Sequence, residues 1–245
     1  MSIRSLFKRA FYLPSMLPLR IAIRKQTFLM NILDFCAGSM LRKYNPADIR
    51  LMRLVYCIEQ TKYLVFPVAE CGIGSGYSMV YLLTCLQKTK DARNYHGFDT
   101  FEGFPFIDKE DLEGLPEHRK SVSVVGRYKQ FNLGFIRRLV KKVSAEDRAF
   151  LHQGTFNQTI PKLPADLHFS FVYMDCDLYQ SYKSCLEEMY RRVVPGGVIL
   201  FDEYEHTIEW PGARKAIDEF FADKPEKPEQ LPFGTSWMVR KKKVG

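Results

Sequence analysis

Between Val68 and Phe221 short apolar runs alternate with helix-period segments, and the runs stop at an acid or a glycine. The clearest is Phe169–Met174, which ends at Asp175. It lacks the in–out alternation of a half-exposed strand, so both of its faces need cover. Val68–Cys71, Tyr95–Phe98, Ala149–His152 and Val198–Phe201 read the same way, with Ser236–Arg240 as a last strand. Helices are predicted from Ala47 to about Lys62 and over Met79–Gln87, Leu178–Val193 and Ala213–Phe221. The third opens with Asp177 and Gln180 three residues on, a capping-box spacing that assigns Asp177 mainly to the helix cap. This order predicts an α/β chain, a mostly parallel sheet with helices on both faces.

Open sheets of this kind bind ligands beyond the carboxyl ends of their strands. Four predicted ends carry chemistry: Glu70/Gly72, Asp99, Asp175 and Asp202-Glu203. At the first, Glu70 leads into Gly72-Ile73-Gly74-Ser75-Gly76, a turn whose glycines let a ligand approach the backbone. Tyr77 stands where a dinucleotide fingerprint needs its third glycine, and the GK[ST] ending of a P-loop is absent. Asp99 ends the next strand, where a carboxylate accepts ribose hydroxyls. An acid plus a glycine turn, followed by a second strand-end acid, is the pattern of S-adenosylmethionine, which has a ribose and no phosphate. Asp175 and Asp202-Glu203 end strands joined by one helix, and neighbouring strands lie about 4.8 Å apart. These three carboxylates are the expected ligands of a hard divalent cation such as Mg²⁺.

Charge sharpens the function class. Lys and Arg total 36 against 28 Asp and Glu, a net +8 that in bulk suggests nucleic acid or an anionic membrane. Six basic residues and no acid lie in residues 1–33, and four more in residues 240–243, leaving −2 for the body between. A nucleic-acid methyltransferase needs a basic, aromatic-lined face by its site, so nucleic acid is not an expected partner. The basic C-terminus reads as a solvated tail. Residues 1–33 place Ile3, Leu6, Phe7 and Phe11 among their charges, a pattern suited to peripheral membrane contact. Six scattered cysteines form neither a disulfide framework nor a zinc motif and point to the cytoplasm. Pro14, Pro18 and Arg20 interrupt any secretory signal, and no apolar run reaches membrane-spanning length.

Four blocks resemble the macrocin O-methyltransferase (TylF-type) family. They are Glu70-Cys71-Gly72-Ile73-Gly74-Ser75-Gly76-Tyr77-Ser78, Phe98-Asp99-Thr100-Phe101-Glu102-Gly103-Phe104-Pro105, Gly154-Thr155-Phe156-Asn157-Gln158-Thr159-Ile160-Pro161, and Met174-Asp175-Cys176-Asp177-Leu178-Tyr179-Gln180-Ser181 with Pro195-Gly196-Gly197 and Asp202-Glu203-Tyr204. The resemblance covers about Glu59 to Phe221. It implies a Rossmann-like class I methyltransferase that moves a methyl from S-adenosylmethionine to a hydroxyl of a sugar or glycosylated natural product. It also implies that Glu70, Gly72, Gly74, Gly76, Ser78, Asp99, Thr100, Gly154 and Asp175 line the cofactor site, and that Asp175, Asp202 and Glu203 hold the metal. Departures are Glu203 for an Asp, Gly74-Ser75 for a bulky–basic pair and Gln158 for an Asp.

Asp175 is the first choice for general base, with His206 as the alternative. Residues 1–50 are expected to form a basic helical extension and 51–245 the catalytic domain. Residues 103–148, with a helix from Phe131 to Val143, form an insertion expected to roof the acceptor pocket with the N-terminal helices. A homodimer is an expected assembly. A catechol-type enzyme acting on a phenol and an inactive scaffold are the competing readings.

Overall fold

The computed structural model describes residues 49–120, 124–206, 209–232 and 236–242. The expected extension over residues 1–50, and with it the membrane contact proposed for residues 1–33, lies almost wholly outside them. Among the described residues no helix is long and apolar enough to cross a membrane.

Helix α1 (Ile49–Thr61) precedes β1 (Val68–Cys71), α2 (Tyr77–Lys88) and β2 (Tyr95–Asp99). The insertion follows with α3 (Lys109–Leu112), α4 (Glu117–Lys120) and α5 (Leu133–Lys142). Then come β3 (Ala149–Gln153), α6 (Phe156–Thr159), β4 (Phe169–Met174), α7 (Tyr179–Met189), β5 (Val193–Phe201), α8 (Pro211–Phe221), β6 (Glu229–Gln230) and β7 (Trp237–Arg240). The sheet order is β3-β2-β1-β4-β5-β7-β6. β1 to β5 are parallel, and β7 runs antiparallel to β5 and β6. Order reverses between β1 and β4, which puts the topological switch point at Gly72 and Asp175.

Both sheet faces are covered, as continuous apolar strands require. One core packs Leu54, Ile58, Leu82 and Leu86 with Ile136 and Val140 of α5. The other packs Tyr182, Leu186 and Met189 of α7 with Ala213, Ile217 and Phe221 of α8. The parallel ladder continues one residue past the strands: Gly72 N donates to Phe98 O, Asp175 N to Cys71 O and Asp202 N to Met174 O, each at 2.9 Å. The chemistry-bearing residues therefore leave the sheet in one row.

Some expectations change. The Leu178–Val193 helix ends at Met189, passes through a 3₁₀ turn (Tyr190–Arg192), and yields Val193 to β5. β5 begins five residues before the expected Val198, and a register shift against Phe169 and Phe171 absorbs Pro195-Gly196-Gly197. β6, in the expected loop, is too short to have a period. The tail is not free in solvent over its described part. Arg240 Nη1 donates to Gly196 O (3.0 Å), Lys241 N to Gly197 O (2.9 Å) and Lys242 N to the buried Glu226 Oε1 (2.8 Å).

Candidate active site

The row of strand ends opens into a cleft of about 470 Å³. One half is built by β1 and β2. Gly72 (φ +89°) fits only as glycine, since a Cβ there would stand 1.8 Å from the Asp175 carbonyl oxygen. Gly74 (φ +48°) faces open space, the bare backbone a ligand needs. Asp99 ties the loop down: its Oδ2 accepts from Ile73 N (2.8 Å) and Gly74 N (3.1 Å), and its Oδ1 from Phe101 N (2.7 Å). Thr100, Gly154 and Ser78 also line the cleft.

Two expected cofactor residues sit elsewhere. Glu70 is fully buried behind the loop, where its carboxylate accepts from the Ser78 and Tyr95 hydroxyls. Burial pushes its carboxyl up to about 8, although those two hydroxyls oppose the shift. Gly76 (φ +77°) starts α2 and packs against Leu139 and Ile136 of α5. Both sit behind the cleft wall because Gly76 begins the helix and Glu70 still belongs to β1, before the strand end.

The other half is built by β4 and β5. Asp175, Asp177 and Glu203 each offer a carboxylate oxygen within 4.8 Å of the others. Asp177 departs from its expected role. It adopts φ +56° and turns into the cleft, and Leu178 is the cap position of α7. Asp111 from the insertion takes over the capping role, accepting from Tyr179 N at 2.6 Å. Asp202 lines the same corner, but its carboxylate pairs with Arg53 of α1 and accepts from Tyr173 Oη at 2.5 Å. The expected trio of Asp175, Asp202 and Glu203 thus keeps two members in the close cluster, gains Asp177, and has Asp202 turned to a guanidinium.

Burial, with Asp175 adding repulsion, holds both the Asp177 and Glu203 carboxyls well above the usual range. Glu203 is 1% exposed and accepts from the Tyr182 hydroxyl. Crowded, poorly solvated carboxylate oxygens suit a hard divalent cation, so the donor set fits the expected metal.

The insertion supplies the outer wall. Phe104, Arg127, Tyr128 and Phe131 line the cleft with Trp210, and the Arg127 guanidinium lies 4.8 Å from the Tyr128 ring centre and 5.3 Å from that of Trp210. His206 lines it as well. The helix expected from Phe131 is α5, capped by Asn132, and it packs into the core instead of roofing the pocket. Arg53, Tyr173 and Trp210 escaped the sequence reading; only the Asp-x-Asp spacing of Asp175 and Asp177 hinted at the second carboxylate.

A family model described as Macrocin-O-methyltransferase (TylF) matches residues 47–228. The 8-demethyl-8-(2,3-dimethoxy-α-L-rhamnosyl)-tetracenomycin-C 4′-O-methyltransferase of Streptomyces olivaceus is 29% identical over 163 residues, 63% of this chain. The match spans 60% of that relative's length. Among solved structures, the calicheamicin methyltransferase CalS11 aligns with a TM-score of 0.70 at 20% identity, over 90% of this chain and 91% of its own. The S-adenosylhomocysteine-bound methyltransferase PaMTH1 of Podospora anserina aligns at 0.55 and 15%, over 99% and 97%. The fold is the mostly parallel α/β sheet expected from the strand pattern and the Rossmann-like class I methyltransferase fold that the family resemblance implied.

Proposed function

As the chain belongs to the macrocin O-methyltransferase (TylF) family, we propose that it methylates a hydroxyl of a sugar on a small-molecule or glycan acceptor, using S-adenosylmethionine and a divalent cation. One observation carries this reading: the glycine loop held by Asp99 and the carboxylates of β4 and β5 face each other across a single cleft. The first half suits a neutral nucleoside, with Gly74 bare and its loop held in place by Asp99. The second half suits a cation and a hydroxyl.

The residues divide the work. Gly72, Gly74, Ser78, Asp99, Thr100 and Gly154 hold the methyl donor, and Glu70 and Gly76 support that loop from behind. Asp175 and Glu203 with Asp177 or Asp202 hold the cation, which supplies Lewis acidity at the acceptor hydroxyl when bound. A new C–O bond forms as the methyl–sulfur bond breaks, and the hydroxyl proton has to leave. Asp175 lies at the junction of the two halves and is the first choice to take it, with His206 on the wall as the alternative. Phe104, Tyr128, Phe131 and Trp210 exclude water and stack on the acceptor.

Calorimetric titration with S-adenosylmethionine, with and without Mg²⁺, followed by an acceptor screen of glycosides and phenols, tests the reading. Binding together with methylated glycosides supports it. Methylation of phenols alone moves the activity to the catechol-type class, and no binding of S-adenosylmethionine leaves a scaffold.

A further inference from the structure

The carboxylate corner already contains a cation of its own. Arg53 enters it from α1 with only 3% of its surface exposed. Its guanidinium pairs with Asp202, donates to Tyr173 Oη at 2.9 Å and to Ser236 Oγ at 3.2 Å. Tyr173 Oη in turn donates to Asp202 Oδ1 at 2.5 Å and stands 3.3 Å from Asp175 Oδ2. One side chain thereby links α1, β4, the end of β5 and the residue before β7. A guanidinium keeps its proton at all working pH values and offers its donors in a fixed fork. It lies beside the carboxylates that a divalent cation would also neutralise. Like charges a few ångströms apart in a poorly solvated corner repel strongly.

We propose that Arg53 is a positioning residue that serves as the resident countercharge of the carboxylate corner through Asp202: it aims Asp202 and Tyr173, and it weakens the hold on the divalent cation. This role presupposes the divalent-cation site proposed above. Removing the charge has a characteristic signature. Cation binding tightens because a repelling charge is gone, and turnover falls because Asp202 and Tyr173 lose their fixed partner. A purely structural side chain would give loosening of both.

The test is Mn²⁺ titration of the full chain, followed by electron paramagnetic resonance, for the native protein, Arg53→Met and Arg53→Lys. S-adenosylmethionine affinity serves as the check on folding. Arg53→Met should bind Mn²⁺ about fivefold or more tightly than native, with kcat down about 30-fold and KM for S-adenosylmethionine within about threefold. Arg53→Lys, which keeps the charge and loses the fork, should bind Mn²⁺ within about twofold of native. If Arg53→Met fails to bind S-adenosylmethionine, Arg53→Gln replaces it with the same expected sign. Equal or weaker Mn²⁺ binding in a neutral variant that still binds S-adenosylmethionine overturns the role of Arg53 and leaves the cation site standing. No Mn²⁺ binding by native or variants overturns the cation site, and the role of Arg53 with it.

Discussion

The two halves of the cleft solve opposite problems. At β1 and β2 a carboxylate, Asp99, accepts from backbone N–H groups of Ile73, Gly74 and Phe101. Local backbone geometry satisfies it. At β4 and β5 the carboxylates of Asp175, Asp177 and Glu203 crowd one another. Their nearest help comes from other parts of the chain: Tyr182 of α7 bonds Glu203 and Arg127 of the insertion faces Asp177, while Arg53 of α1 pairs with the neighbouring Asp202. The first half is shaped by chain conformation and the second by charge.

Substitutions can separate the halves. Gly72→Ala should do the greatest damage. It forces an alanine into the left-handed region and against the Asp175 carbonyl, and it should cost about 4 kcal/mol or more in thermal or denaturant unfolding. Because the overlap joins β1 to β4, this is the one change expected to spoil both halves together. Asp202→Ala confines the loss to the second half. Cation-dependent turnover should fall by about a thousandfold or more while S-adenosylmethionine affinity, read by calorimetry, stays within a few-fold. An equally large loss of affinity would mean that the halves are not separable. Asp99→Asn addresses the first half alone. Weakening charge-assisted bonds to Ile73 and Gly74 should loosen S-adenosylmethionine binding by about 10- to 100-fold, with Mn²⁺ binding unchanged.

The smallest effect concerns the sheet beneath the first half. His96 stacks on His152, which stacks on Phe98, and burial, with His152 adding repulsion, lowers its pKa to about 4. The native state favours neutral His96, while the unfolded chain takes up a proton near 6.5. Stability from this group is complete above pH 6.5 and is lost as pH falls toward 4. Allowing for its partial exposure, the loss should be about 2 kcal/mol, and a slope left intact in His96→Gln would rule it out.

The same contrast explains what the sequence disclosed. Val68–Cys71 and Phe169–Met174 were legible to the residue because a buried parallel strand must be apolar throughout and its end is marked by a glycine or an acid. The loop at Gly72 follows from spacing over a few residues, whereas the bonds by which Asp99 holds that loop did not, since the spacing pointed only to ribose hydroxyls. The partner of Asp202 did not follow, because Arg53 is an ordinary basic residue in an amphipathic helix until the fold carries it across the sheet. Asp177 was misassigned for a related reason. Its spacing to Gln180 mimics a helix cap, but the true cap, Asp111, comes from 68 residues upstream. Short-range geometry is written locally; long-range charge pairing is written only in the fold.

The most direct test is transfer of a labelled methyl group from S-adenosylmethionine to a glycoside acceptor, measured in Mg²⁺ and again in excess chelator. A charge-built second half predicts transfer in Mg²⁺ that drops by about a hundredfold or more in chelator and returns on adding the cation. Undiminished transfer in chelator would contradict it.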